Sequence, residues 1–196
     1  MQNIVILISG NGSNMAAIVL TARRDQWAQR HGAHVSAIIS NQADAKGLKW
    51  AEAQGIATIV VDHKSYASRG EFDAALMQVI DQYETTEHPP LVVLAGFMRI
   101  LTPAFVAHYP ARLINIHPSL LPAFAGLNTH ARAIAAGCKF AGATVHLVTA
   151  ELDHGPILVQ AAVPVLPNDT ADTLGQRVLS QEHRIYSEAI VGLLQK

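Results

Sequence analysis

Apolar runs alternate with helical stretches along the first 117 residues, and this rhythm limits the fold more than any other feature of the sequence. The apolar runs lie at 4–9, 34–40, 57–61, 91–96 and 112–117. Buried strands that alternate with helices are typical of a mostly parallel sheet with helices on both faces. The pattern therefore predicts an α/β fold with a Rossmann-like sheet.

The rhythm changes in the last third of the chain. Two longer apolar runs, at 143–149 and 156–165, are joined by the short turn AELDHG. Strands joined so closely pair antiparallel, so they should extend one edge of the sheet. The predicted helices lie at 13–24, 46–54, 71–83, after Thr102-Pro103, at 129–137 and at 170–194. We expect a single domain over residues 1–196.

Composition argues against several classes of protein. Half of the residues are hydrophobic, 15% are charged and the net charge is −1, which does not favour disorder or bulk electrostatic binding of nucleic acid or membranes. The single cysteine, Cys138, rules out an intrachain disulfide and fits a reducing compartment. The N-terminal apolar run is too short for a signal peptide, and the run from Leu91 is shorter than the ~20 residues of a membrane helix. We expect a cytoplasmic protein.

The stretch SGNGSN follows the first apolar run and opens the first helix. Backbone N–H groups at Gly12, with the side chains of Ser13 and Asn14, can bind an anion at a helix N-terminus. Met15 stands where a dinucleotide fingerprint needs its third glycine, and no lysine follows Gly12 as a P-loop requires. A single phosphate, such as that of a sugar monophosphate, fits better, and a tight strand-to-helix turn remains the alternative.

The stretch NIHPSLLP ends the fifth predicted strand. Asn115 and His117 are two residues apart, so both point to one face of that strand. An amide N–H can stabilise an oxyanion, and an imidazole can act as a general acid or face a developing negative charge. Asp153, in the AELDHG turn, would favour the protonated ring if it lay close. A buried core histidine and an ordinary turn aspartate remain the alternatives.

One carboxylate stands out in the last predicted helix. Glu182 shares a face with the apolar residues Val178, Ile185 and Ala189, which predicts a buried side chain or one that lines a cleft. A carboxylate there could bind a substrate amine, or could sit at the edge of the stripe with its head in water. Ten histidines invite a zinc site, but no H-x-x-x-H or C-x-x-C spacing occurs, so we expect no metal.

Six motifs together resemble one family. They are ISGNGSN, ADAKGL, LAGFMRIL, INIHPSLLPAF, ELDHGPI and QEHRIY, in this order over nearly the whole chain. They are similar to the motifs of the folate-dependent phosphoribosylglycinamide formyltransferases of purine biosynthesis. The resemblance implies the formyltransferase fold and transfer of a formyl group from 10-formyltetrahydrofolate to the amine of glycinamide ribonucleotide, through a tetrahedral adduct.

The resemblance also implies a role for each matching residue. It implies catalysis by Asn115, His117 and Asp153, with ribonucleotide binding by Gly12, Ser13, Asn14 and Glu182. It implies folate binding by Arg69, Met98, Arg99, Ile100 and Leu101, together with Asn115. On this basis residues 1–100 form a phosphate-binding half, and residues 101–196 form a catalytic and folate-binding half. A homodimer is compatible with the resemblance.

Two departures from the family pattern lie near the catalytic motif. Ala123 and Ala125 stand where many relatives have Lys or Pro, and a lost lysine there could weaken contacts to an anionic ligand. Formyltetrahydrofolate deformylase and methionyl-tRNA formyltransferase share the motif chemistry but carry an additional domain, which we do not expect here. A sugar-phosphate or folate sensor without turnover is a further alternative, although it would not need the catalytic trio.

Overall fold

The computed structural model describes residues 1–195, which contain a seven-stranded sheet of order β3-β2-β1-β4-β5-β6-β7. The strands are β1 (Gln2–Ile8), β2 (Ala33–Ser40), β3 (Ala57–Val60), β4 (Leu91–Leu94), β5 (Leu113–His117), β6 (Phe140–Leu147) and β7 (Ile157–Pro164). The first five strands are parallel, whereas β6 pairs antiparallel with both β5 and β7. The predicted mostly parallel sheet with an antiparallel edge is confirmed.

Helices cover both faces of the sheet. They are α1 (Ser13–Arg24), α2 (Trp27–Arg30), α3 (Lys46–Ala53), α4 (Arg69–Asp81), α5 (Pro103–His108), α6 (Thr129–Ala135) and α7 (Ala171–Leu194). One hydrophobic cluster joins the sheet to α1, α3 and α7, and a second joins it to α4 and α5. Within residues 1–195, no helix is long and apolar enough to cross a membrane.

Several boundaries differ from the sequence prediction. Helix α4 begins at Arg69, two residues early, because Ser68 caps it by accepting a hydrogen bond from the Glu71 amide. Strand β6 begins at Phe140 rather than at 143, because its first residues pair with the end of β7. The short helix α2 was not predicted; its four residues are too few to show a helical period.

Tyr186 fixes the long C-terminal helix against the sheet. Its buried hydroxyl donates to the carbonyl oxygens of Leu94 (2.8 Å) and Ile114 (3.2 Å), on two neighbouring strands. A buried hydroxyl that is satisfied in this way holds α7 in one register along β4 and β5. Glu182, one helical turn before Tyr186, is thereby held near the carboxyl end of the sheet.

Candidate active site

Buried polar contacts tie together the carboxyl ends of three parallel strands. The Ser9 hydroxyl, just after β1, donates to Asn41 Oδ1 after β2 at 2.6 Å. The same hydroxyl accepts from the Met98 amide after β4 at 2.8 Å. Ligands bind at this end of open α/β sheets, so these contacts lie where a binding crevice is expected.

The turn between β1 and α1 depends on two glycines from separate elements. Gly12 has a φ of 71°, a left-handed conformation that favours glycine, and it precedes α1. Gly47 of α3 packs directly on the turn: its amide donates to Gly10 O, and a Cβ there would lie 3.2 Å from the oxygens of both Gly10 and Asn11. A cavity lined by Gly12, Ser13 and Asn14 lies at this turn.

Asn14 links the first helix of the chain to the last one. Its Nδ2 donates to Glu182 Oε2 at 2.7 Å, and both side chains are buried. Asn14 Oδ1 is buried and has no hydrogen-bond partner among residues 1–195, and so can accept from a bound donor. Burial raises the pKa of the Glu182 carboxyl, and the Asn14 bond and the charge of His117 offset part of that rise. This carboxylate lies beside the β1 turn and is suited to binding an amine.

Asn115, near the end of β5, is oriented by a histidine on the neighbouring strand. His146 Nδ1 lies 2.9 Å from Leu147 O, which can only accept, so Nδ1 carries a hydrogen. Burial lowers the pKa of His146, and the neutral ring then leaves Nε2 as an acceptor for Asn115 Nδ2 at 3.4 Å. One amide hydrogen of Asn115 is thus used, and the other can donate to a ligand.

His117 and Asp153 form a buried pair at the end of β5. His117 Nδ1 lies 3.5 Å from Asp153 Oδ2, and the two side chains are 9% and 5% exposed. His117 Nε2 lies 3.1 Å from Phe124 O, so acceptors face both ring nitrogens. Asp153 has a φ of 58°, and its Oδ2 also accepts from the Gly126 amide at 2.9 Å. The structure therefore brings together Asn115, His117 and Asp153.

A second cavity opens beside this trio. It is lined by Arg99, Ile100, Leu101, Asn115 and Asp153, among other residues. Mostly apolar clefts with a few polar groups are typical binding sites for small molecules.

Two of the residues expected to bind folate lie apart from this cavity. Met98 is 74% exposed and lines the cavity at the β1 turn instead. Arg69, the first residue of α4, is exposed and is absent from the lining of either cavity. Within residues 1–195, no group of three His, Cys, Asp or Glu side chains could hold a metal ion.

Sequence reasoning missed four residues that support the site. Ser9 and Asn41 follow buried strands, so their position after β1 and β2 could have indicated them. His146 lies within a strand pattern and carries no motif that marks it as an orienting group. Phe124 acts through its backbone carbonyl, which no side-chain pattern reveals.

Fold and site together define the class of protein. An open, mostly parallel sheet carries two cavities near the carboxyl ends of its strands, and the segment 94–99 contributes to the lining of both. Asn115 and Asp153 line one of them, and His117 pairs with Asp153. The model of the formyl transferase family matches residues 2–190, and the chain belongs to this family.

Individual relatives indicate which members of this family the chain resembles. A phosphoribosylglycinamide formyltransferase of Escherichia coli is 50% identical over 94% of this chain and 84% of that protein. The crystal structure of one from Brucella melitensis has a TM-score of 0.90 and 48% identity, and covers 100% of this chain and 96% of that one. The human trifunctional purine biosynthetic protein adenosine-3 is 42% identical over 95% of this chain, but only 18% of its own length is matched. The chain therefore groups with the phosphoribosylglycinamide formyltransferases.

Proposed function

We propose that this protein transfers the formyl group of 10-formyltetrahydrofolate to the amine of glycinamide ribonucleotide. The observation that carries the proposal is the position of Asn115, His117 and Asp153: His117 pairs with Asp153, and Asn115 and Asp153 line one cavity. The segment 94–99 lies between this cavity and the one at the β1 turn, because it contributes to the lining of both. One cavity lies at a glycine turn suited to a phosphate, and the other is a largely apolar cleft suited to a flat, aromatic ligand.

The ribonucleotide is proposed to bind with its phosphate at the turn formed by Gly12, Ser13 and Asn14. The backbone amides there and the positive end of the α1 dipole both favour an anion. Glu182, hydrogen-bonded to Asn14, would then receive the glycinamide amine. The folate is proposed to occupy the cleft of Arg99, Ile100 and Leu101, with Met98 at its outer edge. Arg69, exposed at the start of α4, is proposed to meet its charged tail.

The reaction requires stabilisation of charge and two proton movements. The amine attacks the formyl carbon, the C=O electrons move to oxygen, and a tetrahedral adduct forms. The free amide hydrogen of Asn115 and the imidazole of His117, beside Asp153, are proposed to stabilise that oxygen. Collapse of the adduct breaks the bond to the folate nitrogen, which gains a proton while the attacking nitrogen loses one. His117 is the proposed general acid for this exchange.

The proposal also covers the roles of the two halves of the chain, the cellular compartment and the binding partners. Residues 1–100 would supply the phosphate turn, and residues 101–196 most of the catalytic groups. We place the enzyme in the cytoplasm, in keeping with its single cysteine, and propose that its partners are its two small-molecule substrates. A homodimer is compatible with this function.

A spectrophotometric assay that follows the loss of the formyl donor tests the function. We expect turnover that depends strictly on glycinamide ribonucleotide. Loss of the formyl donor with water alone would show a deformylase, and binding of both ligands without turnover would show a sensor. Either result would contradict the proposal.

A further inference from the structure

The segment Ala123–Leu127, named the AFAGL segment after its sequence, contacts both members of the buried His117–Asp153 pair. The Phe124 carbonyl faces His117 Nε2 at 3.1 Å, and the Gly126 amide donates to Asp153 Oδ2 at 2.9 Å. That same carboxylate oxygen lies 3.5 Å from His117 Nδ1. The backbone of the segment thus sets the direction of both the ring and the acid.

The sequence of the AFAGL segment does little to fix its own backbone. It consists of two alanines, a glycine, a phenylalanine and a leucine, and no proline restricts φ within it. Phe124 and Gly126 have φ values of 55° and 80°, a region that residues with a side chain rarely adopt. Contacts from outside the segment must therefore hold this conformation.

Arg132 of α6 supplies such contacts. Its Nη1 donates to Ala125 O at 2.6 Å and to Leu127 O at 3.2 Å. Its guanidinium carbon lies 5.4 Å from the centre of the Phe124 ring, within the range of a cation–π contact. The two carbonyls flank Gly126, and the ring belongs to the residue that faces His117. One side chain therefore holds the segment at three of its five residues.

We propose that Arg132 is a positioning residue for formyl transfer, acting through the AFAGL segment on His117 and Asp153. The proposal depends on the function proposed above. Arg132 is exposed and lines neither of the two cavities, so it does not touch the substrates as they are placed there. It orders the pair in advance of binding, and misplacement of a catalytic group by about 1 Å can cost up to 10²-fold in rate.

We expect the fold to tolerate the loss of this side chain. The Ser119 hydroxyl donates to Ala123 O at 2.6 Å, and the Thr144 hydroxyl accepts from the Leu121 amide at 3.0 Å, so other contacts hold the preceding turn. Removal of an exposed arginine should leave the melting temperature close to that of the wild type. The expected loss is therefore one of catalytic geometry.

The test compares Arg132→Ala and Arg132→Lys with the control Arg23→Ala. Arg23 also donates to a backbone carbonyl, that of Gln54, but it lies at the far end of α1. For Arg132→Ala we expect kcat to fall about tenfold, with both KM values within about twofold of the wild type. Arg132→Lys should recover part of the loss, because lysine keeps the charge and a donor but not the planar fork. Arg23→Ala should retain the wild-type kcat.

A double mutant separates positioning from a general structural effect. If Arg132 acts through the buried pair, Arg132→Ala added to Asp153→Asn should lower kcat little beyond Asp153→Asn alone. A wild-type kcat in Arg132→Ala, or fully multiplicative losses in the double mutant, would overturn the inference. Absence of ribonucleotide-dependent turnover in the wild type would instead overturn the proposed function.

Discussion

Two loops that follow the carboxyl ends of parallel strands are held in place in different ways. The loop after β1 is held by close backbone packing: Gly47 lies against it, and Gly12 supplies a left-handed turn. The loop after β5 is held mainly by side chains, among them Ser119 and Arg132. The first loop presents backbone groups to a cavity, whereas the second orients His117 and Asp153.

This difference suggests that the β1 loop serves substrate binding, whereas the β5 loop serves the chemical step. A phosphate site needs amides at fixed positions, and packed glycines provide these with little dependence on side chains. A catalytic pair needs its ring and its carboxylate held in direction, which requires specific hydrogen bonds. Changes in the β1 loop should therefore act mainly on ribonucleotide binding, and changes around β5 mainly on kcat.

The largest expected effect tests the β5 side of this comparison. His117→Ala removes the imidazole beside Asp153 and Asn115, and we expect kcat to fall roughly 10²-fold or more, the usual size of a general acid–base contribution. Steady-state kinetics with both substrates would measure it. The matched control is His108→Ala, which removes an exposed histidine paired with Asp81 at 2.9 Å. A near-normal kcat in His117→Ala would refute its catalytic role.

The next effect tests the β1 side. In Gly47→Ala, the new Cβ would lie 2.6 Å from Ile8 Cδ1 and 3.2 Å from two backbone oxygens of the loop. Since those oxygens belong to the loop backbone, only a shift of the loop or of α3 can relieve the contact, and we expect the KM for glycinamide ribonucleotide to rise about tenfold. The same crowding should lower the free energy of unfolding by about 1–3 kcal/mol.

Gly192→Ala is the control for that change. Gly192 also lies in a helix, but no atom of the described part of the chain lies within 4 Å of its Cβ position, so this variant should bind normally and gain slightly in stability. If Gly47→Ala lowered kcat and left the ribonucleotide KM unchanged, the assignment of ribonucleotide binding to the β1 loop and of catalysis to the β5 loop would be wrong.

The smallest expected effect concerns Glu182 of α7, whose carboxylate accepts a hydrogen bond from Asn14 beside the β1 loop. Glu182→Gln keeps an acceptor for Asn14 but removes the charge that would bind the glycinamide amine. We expect ribonucleotide affinity to fall about five- to tenfold, with folate affinity unchanged, as measured by titration calorimetry. Loss of folate affinity alone would show that α7 is misassigned in the proposed site.

The same variant should show a pH-dependent gain in stability. Burial raises the pKa of Glu182 in the folded state, so its contribution is fully present below the unfolded pKa and is lost as pH rises through the folded pKa. Glutamine does not titrate. The melting temperature of Glu182→Gln should therefore rise relative to the wild type as pH increases through that window. A constant difference at all pH values would contradict the stated cause.

The contrast between the loops also explains what the sequence could predict. Glycines and apolar periodicity are local signals, so the sheet, the β1 turn and the paired positions of Asn115 and His117 could be predicted from them. The turn aspartate Asp153 could only be proposed, because its approach to His117 depends on the antiparallel pairing of β6 with β5. The support of the β5 loop by Arg132, and the orientation of Asn115 by His146, arise from contacts between distant elements, and no local pattern encodes them.

A crystal structure with glycinamide ribonucleotide and a non-reactive folate analogue tests the central claim most directly. The account predicts the phosphate at Gly12–Asn14, the folate ring against Arg99–Leu101, and the carbon that mimics the formyl group between Asn115 and His117. Its oxygen should lie within hydrogen-bond distance of the Asn115 amide. Ligands bound in separate places, with that carbon distant from Asn115, His117 and Asp153, would contradict it.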